Sequence, residues 1–145
     1  MADVQISVAG VDRLVAKLGR IDSMRPLAPA MRRAVNRLQR DMQEYPPVRP
    51  GSRYVRGRGM ADADGVVRRL TSEQLGKRWT TKVDVSAAEL VGTVGNNVSY
   101  APFVQSRQFQ VRVHRGRWPT DASVMNRNAP AIVRDFEQAT ADALK

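Results

Sequence analysis

The chain has 145 residues, 42% of them hydrophobic, a length and composition that suit one domain with a single modest core. It has no cysteine, which excludes a disulfide framework and thiolate metal sites, and no apolar run approaches the ~20 residues that span a bilayer. Lysine and arginine number 24 against 14 acidic residues, a net charge of +10 and a pI near 11.1, so phosphate groups and acidic protein surfaces are the partners that electrostatics favours.

The first residues, Met1 to Val8, lack the basic-then-apolar pattern of a signal peptide. Val4, Ile6 and Val8 alternate with Gln5 and Ser7, which predicts a half-buried strand. Gly10 breaks it, and Val11 to Leu18 reads as a short helix with Leu14, Val15 and Leu18 on one face and Gly19 as its stop. Pro26 suits the first turn of the next helix. Leu27, Met31, Ala34, Val35, Leu38 and Met42 then recur at helical spacing, the strongest helix signal in the chain. Arg32, Arg33, Arg37 and Arg40 fall mainly on its other faces, and Pro46 and Pro47 end it near Tyr45.

Residues 45–69 are rich in proline and glycine and carry Arg49, Arg53, Arg56, Arg58, Arg68 and Arg69. Little regular structure is expected there, and long irregular connections inside a domain are usually functional or ordered by a partner. The charge concentrates around this stretch: 14 basic and 6 acidic residues lie between Arg20 and Arg78. A second basic run, Arg107 to Arg117, has 4 arginines and no acid.

Thr71 and Gln74 have capping-box spacing, which predicts a short helix from Ser72 to Arg78. Trp79, Thr81, Val83 and Val85 alternate with polar residues, and Ser86-Ala87-Ala88 leads to Leu90, Gly92 and Val94, a β-hairpin pattern. Gly95-Asn96-Asn97 is turn chemistry. Asn96, Asn97 and Tyr100 suit a turn into a short helix at Ala101-Pro102-Phe103, with Phe103, Val104 and Trp79 as core. Phe109, Val111 and Val113 predict a further strand. Asn128 is positioned to cap a last helix with Pro130 in its first turn and Ile132, Phe136, Ala139 and Ala143 on its apolar face. The expected fold is a single α+β domain over 1–145. In it a small, mainly antiparallel sheet of about four strands packs with two longer helices, and a basic loop spans about 45–70.

No residues converge on a catalytic pattern. His114 is the only histidine, and no Gly-x-Ser-x-Gly elbow surrounds a serine. Asp62-Ala63-Asp64-Gly65 lacks the third ligand and the glutamate of a calcium loop and reads as a turn. Gly57-Arg58-Gly59 lacks the third glycine and the preceding strand of a dinucleotide site. The expectation is therefore a chain without catalytic, cofactor or metal residues.

Five segments together resemble the small neck and tail-completion proteins of long-tailed phages, the family of the tenth gene product of phage Hong Kong ninety-seven. They are Ile6-Ser-Val-Ala-Gly-Val-Asp-Arg-Leu14, Tyr45-Pro-Pro-Val-Arg-Pro-Gly-Ser-Arg-Tyr-Val-Arg56, Leu75-Gly-Lys-Arg-Trp79, Val94-Gly-Asn-Asn-Val-Ser-Tyr-Ala-Pro-Phe-Val-Gln105 and His114-Arg-Gly-Arg-Trp-Pro-Thr120. Their order covers nearly the whole chain. The stretch from Gly57 to Leu70 departs from the family by its length and its extra glycines and arginines.

The resemblance implies a non-enzymatic structural virion protein, assembled in the host cytoplasm as a homo-oligomeric ring at the neck or tail end. Head-closure, neck or tail-tube proteins adjoin it, packaged DNA is a nonspecific contact, and no membrane is involved. Arg49, Arg53, Tyr54, Arg56, Arg58, Arg68, Arg69 and Trp118 are the candidate interaction residues. Trp118 is either a subunit contact or an anchor for the last helix. The arginine loop and the mildly acidic last helix (Asp135, Glu137, Asp142) are a candidate pair for a head-to-tail contact. The net charge also admits a basic DNA-binding protein of phage origin. A small nuclease would need an acidic metal cluster or a histidine pair, and the sequence displays neither.

Overall fold

The strong 3.6-residue period after Pro26 is realised as helix α1, Ala28–Gln43, entered through a 3-10 turn at Arg25–Leu27. A computed structural model describes residues 23–47, 50–51, 54–55, 59–61, 63–69 and 74–145 of the chain. The expected strand at 4–8 and helix at 11–18 lie outside them. The elements that follow α1 are β1 (Tyr54–Val55), β2 (Gly59–Ala61), β3 (Val67–Arg69), α2 (Gln74–Lys77), β4 (Trp79–Val85), β5 (Leu90–Asn96), α3 (Ala101–Gln105) and α4 (Asp121–Ala143). The α+β class therefore holds.

The alternating pattern of β4 and β5 folds as an antiparallel hairpin, with Trp79 opposite Asn96, Val83 opposite Gly92 and Val85 opposite Leu90. Its connection is closed by Ser86 and Glu89, whose main chains and the Ser86 hydroxyl hydrogen-bond each other at 2.8–3.1 Å. The α1 stripe Ala34, Val35 and Met42 is buried against this hairpin and α4. At the closest approach Gly92 lies beneath Met31 and Val35, where an added Cβ would stand 2.7 Å from Val35 Cγ1. The glycine lets helix and strand come together, and a side chain there would hold them apart.

Helices α1 and α4 are joined by a polar seam. Arg37 Nη2 donates to Asp135 Oδ2 at 3.2 Å. Asp41 Oδ2 accepts from Arg127 Nη2 at 3.0 Å and from Asn128 Nδ2 at 2.8 Å. Burial opposes the charge of Asp41, but the hydrogen bonds from Asn128, Arg127 and Arg40 outweigh it and hold the carboxyl below its ordinary 3.8.

Five sequence expectations are corrected. In place of one sheet of about four strands there are, among the described residues, two separate antiparallel sheets, β1-β2-β3 and β4-β5. The stretch expected to lack regular structure carries a three-stranded antiparallel sheet in the order β1-β2-β3. Its strands of two and three residues are too short to display a period, while the Asp64-Gly65 turn that joins β2 to β3 was legible. Residues 109–113, expected as a strand, lie in turns closed by Val111 N–H donating to the Phe103 carbonyl at 2.9 Å and His114 N–H donating to the Val111 carbonyl at 3.0 Å. Helix α4 starts before Asn128, at Asp121, because Thr120 and Ser123 form a reciprocal capping box; Pro130 lies inside the helix and Asn128 is buried in the seam. Phe103 is 51% exposed, while Val104 beside it is buried as expected. The inner side of α3 is taken by Ala101, Val104 and Gln105, which leaves Pro102 and Phe103 on the outer side.

Candidate functional site

Four of the five segments that carry the resemblance meet at the C-terminal end of α1. Leu75, Ala101 and Val104 form a buried apolar cluster, and Tyr45, Val98, Tyr100 and Trp118 pack around it. The rings of Tyr45 and Trp118 meet edge to face at 5.1 Å, and those of His114 and Trp118 at 6.1 Å. Thus Tyr45 from the second segment, Leu75 from the third, Val98 to Val104 from the fourth and Trp118 from the fifth build one hub.

Polar groups lock the hub. Tyr45 Oη accepts from the Gly76 N–H at 3.0 Å, and a Cβ on residue 76 would stand 2.7 Å from Tyr45 Cε2, so glycine is required for the ring to lie there. Asn96 reads both sides: its Nδ2 donates to the Leu75 carbonyl at 2.7 Å, and its Oδ1 accepts from Val98 N–H at 2.9 Å. Buried Gln105 donates to the Met42 carbonyl at 2.9 Å, at the end of α1. Buried Gln110 donates to the carbonyls of Val104 at 2.7 Å and Trp118 at 3.2 Å. These bonds pair main-chain groups at the ends of α1, α2, α3 and β5 and in the turn at Trp118.

This hub is the root of the arginine-rich segment. The chain leaves it after Pro47, whose carbonyl accepts from Arg117 Nη2 at 2.9 Å, and has returned at Leu75. The Tyr45–Gly76 bond therefore staples the two ends together. An open groove of about 520 Å3 runs beside the exit, bounded by Pro46, Pro47, Arg117, Trp118 and Arg127. Burial, together with the positive charge of Arg117, lowers the pKa of His114 below its ordinary 6.5 and favours the neutral ring.

The candidate interaction residues separate into three groups. Arg49, Arg53, Arg56 and Arg58 lie outside the described residues. Tyr54 and Arg69 share a register row through Met60 across β1, β2 and β3, and Arg68 precedes Arg69 on β3. Trp118 is half-buried in the hub, with its ring contacts inside the subunit. Of the acidic residues assigned to the last helix, Asp135 is paired with Arg37 and Asp142 with Lys145 at 2.6 Å, which leaves Glu137 exposed. The hub amides Gln105 and Gln110 escaped the sequence reading, since only long-range contacts reveal their roles.

Among the described residues no group of three or more His, Cys, Asp or Glu is placed to hold a metal ion. The arrangement brings the two ends of the arginine-rich segment together on a hydrogen-bonded base. Comparisons with protein-family models, curated proteins and solved structures find no match to the chain.

Proposed function

We propose that this chain is a non-enzymatic structural protein of a tailed-phage particle, one subunit of a ring at the head–tail connection or tail end. The long basic segment acts as an arm that grips an adjoining head-closure, neck or tail-tube protein. The observation that carries this reading is the convergence of the resembling segments in the hub. Residues scattered from Tyr45 to Trp118 are spent on packing and on capping main-chain groups at the root of the arm. Such a layout serves a part whose task is to hold a shape against neighbours. A subunit with two unlike contact surfaces closes into a ring when the rotation between copies divides a full turn.

The test is particle assembly with and without the chain. Without it, heads and tails are expected to accumulate unjoined or with aberrant tail ends, and added purified protein restores joined particles. Normal particles in its absence would refute the reading.

A second reading, a DNA-binding protein, is favoured by the +10 net charge. It predicts tight duplex binding at moderate salt that falls steeply as salt rises. The structural reading predicts only weak, nonspecific retention in the same titration.

A further inference from the structure

Two exposed apolar surfaces of the described structure are lined by charged side chains of opposite sign. The first is the loop over residues 109–115. Its valines are solvent-facing, Val111 at 40% and Val113 at 67% exposure, beside exposed Arg112 and Arg115. No acidic residue lies between Arg107 and Arg117. The loop is held in place: Val111 N–H is bound to the Phe103 carbonyl, and Arg115 Nε donates to the Gln110 carbonyl at 3.2 Å. These valines are therefore presented to solvent by a tethered loop.

The second surface is the outer side of α4. Val133, Glu137, Thr140 and Leu144 follow one another at helical spacing and, with Phe136, line a shallow trough of about 650 Å3. Val133 is 53% exposed. The neighbouring acids are engaged within the chain, Asp135 by Arg37 and Asp142 by Lys145. Glu137 lines the trough and, among the described residues, has no ion pair of its own; exposed Arg134, one turn before it, does not line the trough.

One subunit cannot join these surfaces to each other. The loop is pinned near the start of α4, where Arg107 N–H donates to Asp121 Oδ1 at 2.8 Å. The trough begins at Ile132, about 16 Å farther along the helix at 1.5 Å per residue. Resting on the ring reading above, we infer that the ring contact is made between copies of this chain: the 111–115 loop of one subunit seats Val111 and Val113 in the α4 trough of the next, with Arg112 and Arg115 facing Glu137. Two different patches, both apolar and opposite in charge, make a head-to-tail contact that repeats around a ring. This assigns the cationic partner of α4 to the 111–115 loop, leaving the arginine arm free for other particle proteins.

The absence of native cysteine makes the contact directly testable. The full chain carrying Val113→Cys and Val133→Cys together, both at exposed positions, is oxidised with diamide and run without reductant. The expected result is a ladder of disulfide-linked oligomers that stops at the ring size. Either single variant lacks the facing thiol and should stay essentially monomeric on the same gel. A strong dimer from Val113→Cys alone, or a double variant that stays monomeric while the unmodified chain forms rings, would overturn this contact and leave the ring reading standing. If the unmodified chain forms no ring alone or with its particle neighbours, the ring reading itself falls.

Charge reversal supplies the second arm. Glu137→Arg, and separately Arg112→Glu, which leaves the Arg115 tether intact, should each raise the concentration needed for assembly about tenfold or more. A single chain carrying both reversals should regain assembly, because reversed charges then face each other at every contact. Failure of the doubly reversed chain to assemble, with every variant folded by circular dichroism, would count against direct pairing.

Discussion

Replacing Gly92 with alanine tests the closest approach in the core, and the sign of its effect is diagnostic. A glycine in a strand interior is ordinarily worse than alanine by roughly 0.5–1 kcal/mol, so an unconstrained substitution would stabilise the protein. Here the new methyl would stand 2.7 Å from Val35 Cγ1 and also against Met31 Sδ. Met31 can move, since its thioether chain is flexible. Val35 is 3% exposed and β-branched on a helix, so its rotamer is fixed and the α1–hairpin spacing must yield. Overpacking of this kind costs about 1–3 kcal/mol. At this chain length that corresponds to a Tm lower by roughly 3–5 °C per kcal/mol. Thermal and urea melts of Gly92→Ala, Val35→Ala and the double variant form a cycle. The alanine methyl at 92 can occupy space vacated by Val35, so the double variant should be less destabilised than the sum of the singles by about 1 kcal/mol or more. A Gly92→Ala protein that melts higher than the parent, or strictly additive effects, would refute this account of the core.

Asn128→Ala should destabilise by about 1–3 kcal/mol in a urea melt at neutral pH, because Asp41 loses its closest hydrogen-bond donor in the α1–α4 seam. The carboxyl of Asp41 is held below 3.8, so its contribution is present above that value and is lost as pH falls through the lowered folded value; the variant's deficit should shrink accordingly between pH 7 and pH 3. His114, the only histidine, should titrate by NMR with a midpoint below 6.5, and Arg117→Gln should move it upward. Because the folded ring favours the neutral form, its contribution to stability is complete above 6.5 and is lost as pH falls through the folded value; a midpoint above 6.5 would contradict the packing at Trp118. Tyr45→Phe leaves the Gly76 N–H without its acceptor and should cost about 0.5–1.5 kcal/mol in a thermal melt, whereas an unchanged Tm would show that the staple contributes nothing.

The elements legible in the sequence are those with a long, uniform period. Helix α1 shows its stripe over four turns, and the β4–β5 hairpin shows alternation on both strands, so local pattern and tertiary packing agree. Alternation failed at Phe109, Val111 and Val113 because a strand needs a neighbour to pair with, and local turn bonds claimed the backbone instead. The start of α4 was misplaced by Pro130. An interior proline cannot donate to the carbonyl one turn earlier and costs about 3 kcal/mol, which argues for a helix start. The seam to α1, built by Arg37, Asp135, Asp41 and Asn128, together with the Thr120 capping box, offsets that cost; the seam contacts are long-range, and the box is local but has Ser123 where the usual signature has Glu or Gln. The motif segments were visible one by one. Their meeting place was not, since Tyr45 and Trp118 are far apart in the chain and only the fold joins them.

The central claim is most directly tested by electron microscopy of the purified full-length protein, alone and mixed with the head-closure, neck and tail-tube proteins of its particle. Class averages should show a closed ring of uniform subunit number, either free or capping a tube or neck. A protein that remains monomeric in every mixture and decorates none of those assemblies would contradict the account.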